Sequence, residues 1–403
     1  MKLRIAIAVH GRFHAFDLAR ELIHRAHEVT LFTNYPKFAV QRFGVPESHV
    51  KSFWTHWGAS RIAEYLPREG LFSYPESWLN RVFGHWVAFN VKKENWDVVI
   101  CWSGVGEETF HALNGRNTLL VCQRGSSHIR TQSQLLEDEE IRTGTKLDRP
   151  TPWIIAREEC EYNLADLILV PSSFVRNTFL EQGVSEEKIE FVTLGVKKTD
   201  FHPREDIMEN RCQRIVSGAP LRVLNVGTAS FRKGMWDLHK IIKNVGGDRF
   251  TFRFVGSVAS ECKGLLSNLV GLAAFVPAQN QRDLPTHYEW GDLFILPTIE
   301  DGFAMVLAQA AAAGLPILTT TNGAGHDLVR ERITGWVLPI RDPKSFIDKL
   351  LWCDTHRDEL AAMVRNIYEE SVQRDWADVA KDLEAICLRR LKQYKNKSVS
   401  KTR

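Results

Sequence analysis

At 403 residues, with 44% hydrophobic and 25% charged side chains, the chain has the length for two α/β domains and the composition of a globular protein. A net charge of +3 is too small to argue for nucleic acid as a partner, no apolar run approaches the roughly twenty residues of a membrane span, and Met1-Lys2-Leu3-Arg4 leads into a short strand rather than a signal-peptide core, so a cytoplasmic protein is expected. Seven cysteines, at 101, 122, 160, 212, 262, 353 and 387, with no Cys-x-x-Cys pair, indicate neither a disulfide frame nor a zinc site.

Strand-like and helix-like pieces alternate from the start: Arg4 to Val9, Phe13 to Arg25, Glu28 to Phe32, Val98 to Trp102, Leu119 to Cys122, Leu167 to Pro171 and Ile189 to Leu194. Such alternation predicts a parallel sheet covered by helices. Phe201 to Pro220 is polar and reads as an irregular linker. A second series follows through Leu221 to Val226, Phe252 to Val255, Leu272 to Val276, Leu293 to Leu296, Ile317 to Thr320 and Trp336 to Ile340. The expected organisation is an α/β domain over 1–200, a linker over 201–220, a second α/β domain over 221–375, a helix over 376–391 and a basic tail over 392–403. From Arg389 to Arg403 there are seven Lys or Arg and no acid. That tail reads as disordered, weak contact with anionic lipid being the functional alternative.

The turn Val9-His10-Gly11-Arg12-Phe13-His14 follows the opening strand. His10 and Arg12 there suit an anionic or hydroxyl-rich acceptor, at a spacing that fits no metal triad. Phe53 to Phe89 is crowded with aromatics, among them Trp54, Trp57, Phe72, Tyr74, Trp78, Phe83, Trp86 and Phe89; most read as packing, and stacking on a sugar is the alternative. Arg124-Gly125-Ser126-Ser127-His128 follows another strand, which places His128 at the carboxyl edge of the first sheet, although a lone loop histidine is more often a surface or helix-capping residue. Glu137 to Glu140 lacks the Asp-x-Asp form that would hold a metal. Glu158-Glu159-Cys160-Glu161 reads as a solvated helix face.

In the second series, Asn225-Val226-Gly227-Thr228 to Arg232-Lys233-Gly234 gives a strand, a small-residue turn and two cations at a helix start, a place suited to a diphosphate. Leu293 to Thr320 packs a strand, the acidic step Glu300-Asp301-Gly302-Phe303, an alanine-rich helix starting near Phe303, and a Gly314-Leu315-Pro316 stop before another strand. Asp301 and Gln309 stand eight residues apart, roughly 12 Å along a helix, so both can face one cleft. The plain alternative is a packing helix with a solvated acidic loop. Thr321 to Asp327 reads as a connecting loop whose N–H groups could also line that cleft.

Taken together these elements resemble the retaining nucleotide-sugar glycosyltransferases of GT-B fold (glycosyltransferase family 4, glycosyl transferases group 1). The family pattern is Glu, seven residues, Glu-Ala, then Gly-x-Pro; here Asp301 and Gln309-Ala310 stand at the two glutamate positions, with Gly314-Leu315-Pro316 after them. Asp301 keeps a carboxylate on a shorter arm, Gln309 keeps hydrogen bonding without charge, and Glu300 could stand in for the first glutamate. Lys233 matches the family's lysine on the donor diphosphate, Arg232 adjoins it, and Thr228 occupies a place often held by arginine. The Ala165-Asp166 strand with Pro171-Ser172 also matches. The resemblance implies two Rossmann-like domains facing across a cleft, a last helix crossing back to the first domain, and transfer of a sugar from a nucleoside diphosphate donor to a glycan or lipid-linked acceptor with retention. It implies His128 and Asp301 as catalytic, and Gly227, Arg232, Lys233, Gly302, Phe303 and Gln309 on the donor. No cofactor or metal is implied. An epimerase of the same architecture, or a sugar-nucleotide or glycan-binding protein without turnover, are the alternatives.

Overall fold

The computed structural model describes residues 1–63, 75–370 and 374–401. Its frame is two parallel sheets. The strands in chain order are β1 (Arg4–Val9), β2 (Glu28–Thr33), β3 (Val50–Ser52), β4 (Val98–Trp102), β5 (Leu119–Gln123), β6 (Leu167–Val170), β7 (Ile189–Phe191), β8 (Leu221–Val226), β9 (Phe250–Val255), β10 (Ala273–Val276), β11 (Leu293–Leu296), β12 (Ile317–Thr320) and β13 (Gly335–Leu338). Among the described residues the first sheet runs β3-β2-β1-β4-β5-β6-β7 and the second β10-β9-β8-β11-β12-β13.

Sequence explains the parallel pairing. Val98–Trp102, Leu119–Gln123, Leu167–Val170 and Leu293–Leu296 are buried at every position, as strands covered on both faces must be. Helices supply the cover: Ala15–His24 turns Phe16, Leu18, Ala19 and Leu22 inward, and Met235–Val245 does the same with Leu238, Ile241 and Ile242. Strand order reverses between β1 and β4 in one sheet and between β8 and β11 in the other, so a crevice opens at the carboxyl ends of each pair.

The final helix, Trp376–Lys401, packs on the first domain rather than the second. Its own Val379, Ala380, Leu383, Ile386 and Cys387 are the buried face. Arg25 Nε donates to Glu384 at 2.7 Å, Arg390 donates to Glu190 at 2.8 Å, and the Val196 amide donates to the Arg374 carbonyl at 2.8 Å. The crossover expected from the resemblance is present.

Two stretches differ from the sequence reading. Glu205–Val216 within the expected linker is a helix, because Met208, Cys212 and Ile215 fall on one face and bury against the second domain. The basic tail continues the last helix to Lys401, with neither glycine nor proline after Trp376 to stop it. Phe72 and Tyr74 lie outside the described residues. Of the other aromatics, Phe83 is buried and Trp86 stacks on Phe53 with ring centroids 5.1 Å apart, while Trp54, Trp78 and Phe89 are exposed. Among the described residues no helix is long and apolar enough to cross a membrane.

Candidate functional site at the interdomain cleft

The two crevices face each other across a cleft of about 910 Å³, within the usual range for a ligand of nucleotide-sugar size. Its walls are the turns that follow the strands. From the first domain come His10, Arg12, Ser103, Gly104, Arg124, Gly125 and Ser126; from the second come Gly227, Lys233, Gly256, Ser257, Asp301, Phe303 and Gln309. Gly227 has φ +130°, and a Cβ at Gly256 would lie 1.8 Å from the Gly227 carbonyl oxygen, so these two turns approach as only glycine allows.

Lys233 reaches the cleft floor and its ammonium contacts the Asp301 carboxylate. Burial and then the neighbouring Arg232 guanidinium lower its pKa to about 7, with Glu300 acting in the opposite direction. Contact with Asp301 also favours the charged form. Asp301 spends its other oxygen on the chain after it, accepting from the amides of Phe303 (3.3 Å) and Ala304 (3.0 Å). Ala304 stands at φ +55°, a left-handed conformation, and the alanine-rich helix begins at Met305, two residues later than expected. Met305 and Val306 bring that helix start to the cleft wall. Gln309, one face of the helix further on, lines the cleft and accepts from the Tyr288 hydroxyl at 2.8 Å.

Arg232 and Gly302 stand behind the wall. Glu300 is fully buried and accepts from the Ser127 amide and hydroxyl, both at 2.9 Å, and from Arg232 Nε at 2.8 Å. Burial opposes its ionisation, but Arg232, Ser127 and Arg124 hold the carboxyl below the ordinary glutamate value. It therefore bolts the first domain to the second and is not open to a sugar. Arg232 also donates to Ser126 Oγ at 3.2 Å. A Cβ on Gly302 would lie 1.8 Å from the Gly125 carbonyl oxygen, so Gly302 is the point where the two backbones meet.

His128 is a correction. It does not line the cleft: Nδ1 accepts from the Arg130 amide at 3.3 Å as the N-cap of the helix Ile129–Thr143, and its ring packs on Tyr162 and Phe179 at 5.1 and 4.9 Å. Burial, with Arg124 adding, lowers its pKa to about 4, which keeps it neutral and able to cap. The helix-capping alternative describes it.

What sequence reading missed nearby is Arg124. This buried guanidinium on the cleft wall pairs with Glu158 (2.7 Å) and donates to Gln132 (2.7 Å), Ser127 O (3.0 Å) and Ser103 (3.2 Å). Glu158 and Glu161 are thus not a solvated face. Both are buried, Glu158 on Arg124 and Glu161 accepting from the amides of Gly104 (2.6 Å) and Gly106 (2.8 Å). Only tertiary contact reveals such partners.

His10 and Arg12 do line the cleft. The Arg12 guanidinium lies over the Phe43 ring at 4.0 Å and reaches Gln281 of the other domain at 3.1 Å. His10 stands edge-on to His56 at 5.1 Å, and burial with that neighbour lowers its pKa to about 4. Thr321–Asp327 connects elements and joins the domains, the Asp327 carboxylate accepting from the Ser173 amide at 3.0 Å. Glu139 in the acidic run is buried against Arg142 and Arg341, and Arg142 reaches Asp237 across the interface at 2.8 Å.

Two Rossmann-like domains with an alanine-rich helix and a lysine turned into the cleft between them define a two-domain α/β architecture with a ligand crevice at the domain interface. Family models agree: Glycosyltransferase Family 4 matches residues 12–199 and Glycosyl transferases group 1 matches residues 220–354. The chain belongs to this glycosyltransferase family, with the GT-B fold. It is similar to a sulfoquinovosyl transferase of Arabidopsis thaliana, 24% identical over 221 residues that cover 53% of this chain and 43% of the relative. An amylovoran biosynthesis glycosyltransferase of Erwinia amylovora is 25% identical over 201 residues, 46% of this chain and 47% of that one. The matched region spans about half the length of these relatives. Among solved structures, Anabaena HepE in complex with UDP superposes with a TM-score of 0.70 at 13% identity, covering 96% of this chain and 99% of that one.

Proposed function

We propose that the protein transfers a sugar from a nucleoside diphosphate donor to a glycan or lipid-linked acceptor, with retention of anomeric configuration. The observation that carries this reading is the placement of Lys233 in the cleft, beside the Gly227 turn and in contact with Asp301 just before the helix Met305–Ala312. Lys233, the amides at that helix start and, after a rotation away from Glu300, Arg232 are positioned to take up charge on a leaving diphosphate. These cations then do at the diphosphate what a divalent ion does in other transferases. Asp301 has a second task in this scheme. When Lys233 exchanges the carboxylate for phosphate, the freed oxygen can accept from donor-sugar hydroxyls. The structural neighbour solved with UDP and the relatives named for sugar transfer support a nucleotide-sugar donor. An acceptor enters from the side of His10 and Arg12.

Calorimetry with UDP, GDP, UDP-glucose, UDP-N-acetylglucosamine, GDP-mannose and ADP-glucose tests the reading. Saturable binding of one nucleotide family, weakened in Lys233→Ala, is expected. Binding of none, or binding indifferent to Lys233→Ala, overturns it.

A further inference from the structure

The helices Glu107–Leu113 and Pro152–Leu164 pack together in the first domain, and both reach the cleft, the first through the preceding Gly104 and Val105, the second through Ile154 and Glu158. At this junction Glu107 and His111, four residues apart on one helix, meet Cys160 of the other. A carboxylate oxygen, a ring nitrogen and the sulfur all lie within 4.8 Å of one another, with Cys160 Sγ 3.9 Å from His111 Nε2. His111 is exposed and the other two are half-buried, so an ion has access. Around a tetrahedral zinc, ligands at about 2.0–2.3 Å stand roughly 3.3–3.8 Å apart. Side-chain adjustments of about 1 Å would close the shell.

The charge around the triad points the same way. Arg157 pairs with Glu107 (2.9 Å) and Glu108 (2.5 Å), so one guanidinium faces two carboxylates, while burial pushes the neighbouring Glu161 up to about 8 and keeps it neutral. A thiolate at Cys160 would raise the excess further, and a divalent cation would offset it. Arg157 also fixes the Glu107 carboxylate from behind, as outer-shell partners do for metal ligands. We propose that Glu107, His111 and Cys160 bind a borderline-soft divalent cation of the zinc class, with water completing the shell. This site is separate from the diphosphate site. It clips together two helices that support one wall of the cleft.

The test uses the full chain, stripped of metal and titrated with zinc chloride and, in parallel, cobalt chloride. Cobalt bound to a thiolate shows a charge-transfer absorption, and here Cys160 is the cysteine able to give it, because the other six are buried. One equivalent of zinc is expected to bind, slow alkylation of Cys160 and raise the thermal midpoint. Cys160→Ser should abolish the cobalt charge-transfer band, and both Cys160→Ser and His111→Ala should weaken zinc binding on the order of tenfold or more. No zinc binding, cobalt binding without a thiolate band, or zinc affinity in both variants equal to that of the wild type overturns the proposal. Alkylation that zinc leaves unchanged also overturns it, showing a thiol–imidazole pair and nothing more.

Discussion

Glu300 offers the sharpest test of how the two domains are held in register. Its carboxylate is fully buried and receives three donors, two from Ser127 in the first domain and one from Arg232 in the second. In Glu300→Gln the volume is kept, but the amide has one accepting atom and its NH2 must face either Arg232 or the Ser127 amide. A charge-assisted bond is worth about 1.5–3 kcal/mol. Because the Arg232 side chain is 33% exposed, water recovers part of the loss, and Glu300→Gln should cost about 2 kcal/mol. Glu300→Ala should cost about 3–5 kcal/mol, since it also strands the Ser127 donor in a buried place. The assay is a double-mutant cycle in denaturant with Glu300→Gln and Arg232→Ala, beside small-angle scattering to follow opening of the cleft. A coupling energy above about 1 kcal/mol is expected. The pH dependence has a fixed sign. A carboxyl held below its ordinary value of 4.5 in the folded state adds stability that is complete above that value and disappears as pH falls through the folded pKa. Wild type should therefore lose stability more steeply than Glu300→Gln below about pH 4.5. Additive mutations within about 0.5 kcal/mol, with scattering unchanged, would refute the interdomain bolt.

Lys233→Ala should weaken nucleoside diphosphate binding by about 10–100-fold, read by calorimetry. Since burial lowers this lysine to about 7, the binding ammonium is depleted as pH rises through that value. Affinity should fall between about pH 7 and 9, and Lys233→Arg should flatten the curve. Gly302→Ala places a methyl 1.8 Å from the Gly125 carbonyl, so closure and turnover should both be lost while each domain stays folded by circular dichroism. For Ala304→Gly, relief of the left-handed backbone at φ +55° should raise unfolding stability by up to about 1 kcal/mol, net of the flexibility glycine adds to the unfolded chain. His128→Asn should retain turnover and most stability because asparagine still caps a helix, and a loss of turnover in a well-folded variant would restore the histidine as a catalytic candidate.

The two sheets were legible because period and composition are local properties. Fully apolar runs such as Leu167–Val170 and Leu293–Leu296 announce a covered parallel strand wherever they occur. Motif order then placed Lys233, Asp301, Phe303 and Gln309 at one carboxyl edge, and all four line the cleft. Charged partners were not legible. Nothing in Glu158-Glu159-Cys160-Glu161 distinguishes the two glutamates that bury from the one that pairs with Arg130 at the surface, since Arg124 and the Gly104 turn lie far away in sequence. The acidic step shows the same limit most clearly. Sequence presents Glu300-Asp301 as two carboxylates competing for one role, whereas the fold separates them completely. One is turned into the interface and fixed by both domains; the other remains on the cleft wall with an oxygen on Lys233. Asp301 accepts from the amides of Phe303 and Ala304, and Ala304, the residue just before the helix, is left-handed at φ +55°. Because the Ala304 amide donates to the Asp301 carboxylate, Ala304→Gly and Asp301→Glu should be coupled rather than independent substitutions. The glycine should stabilise the wild type more than it stabilises Asp301→Glu, whose longer arm can reach the same amides without the strain.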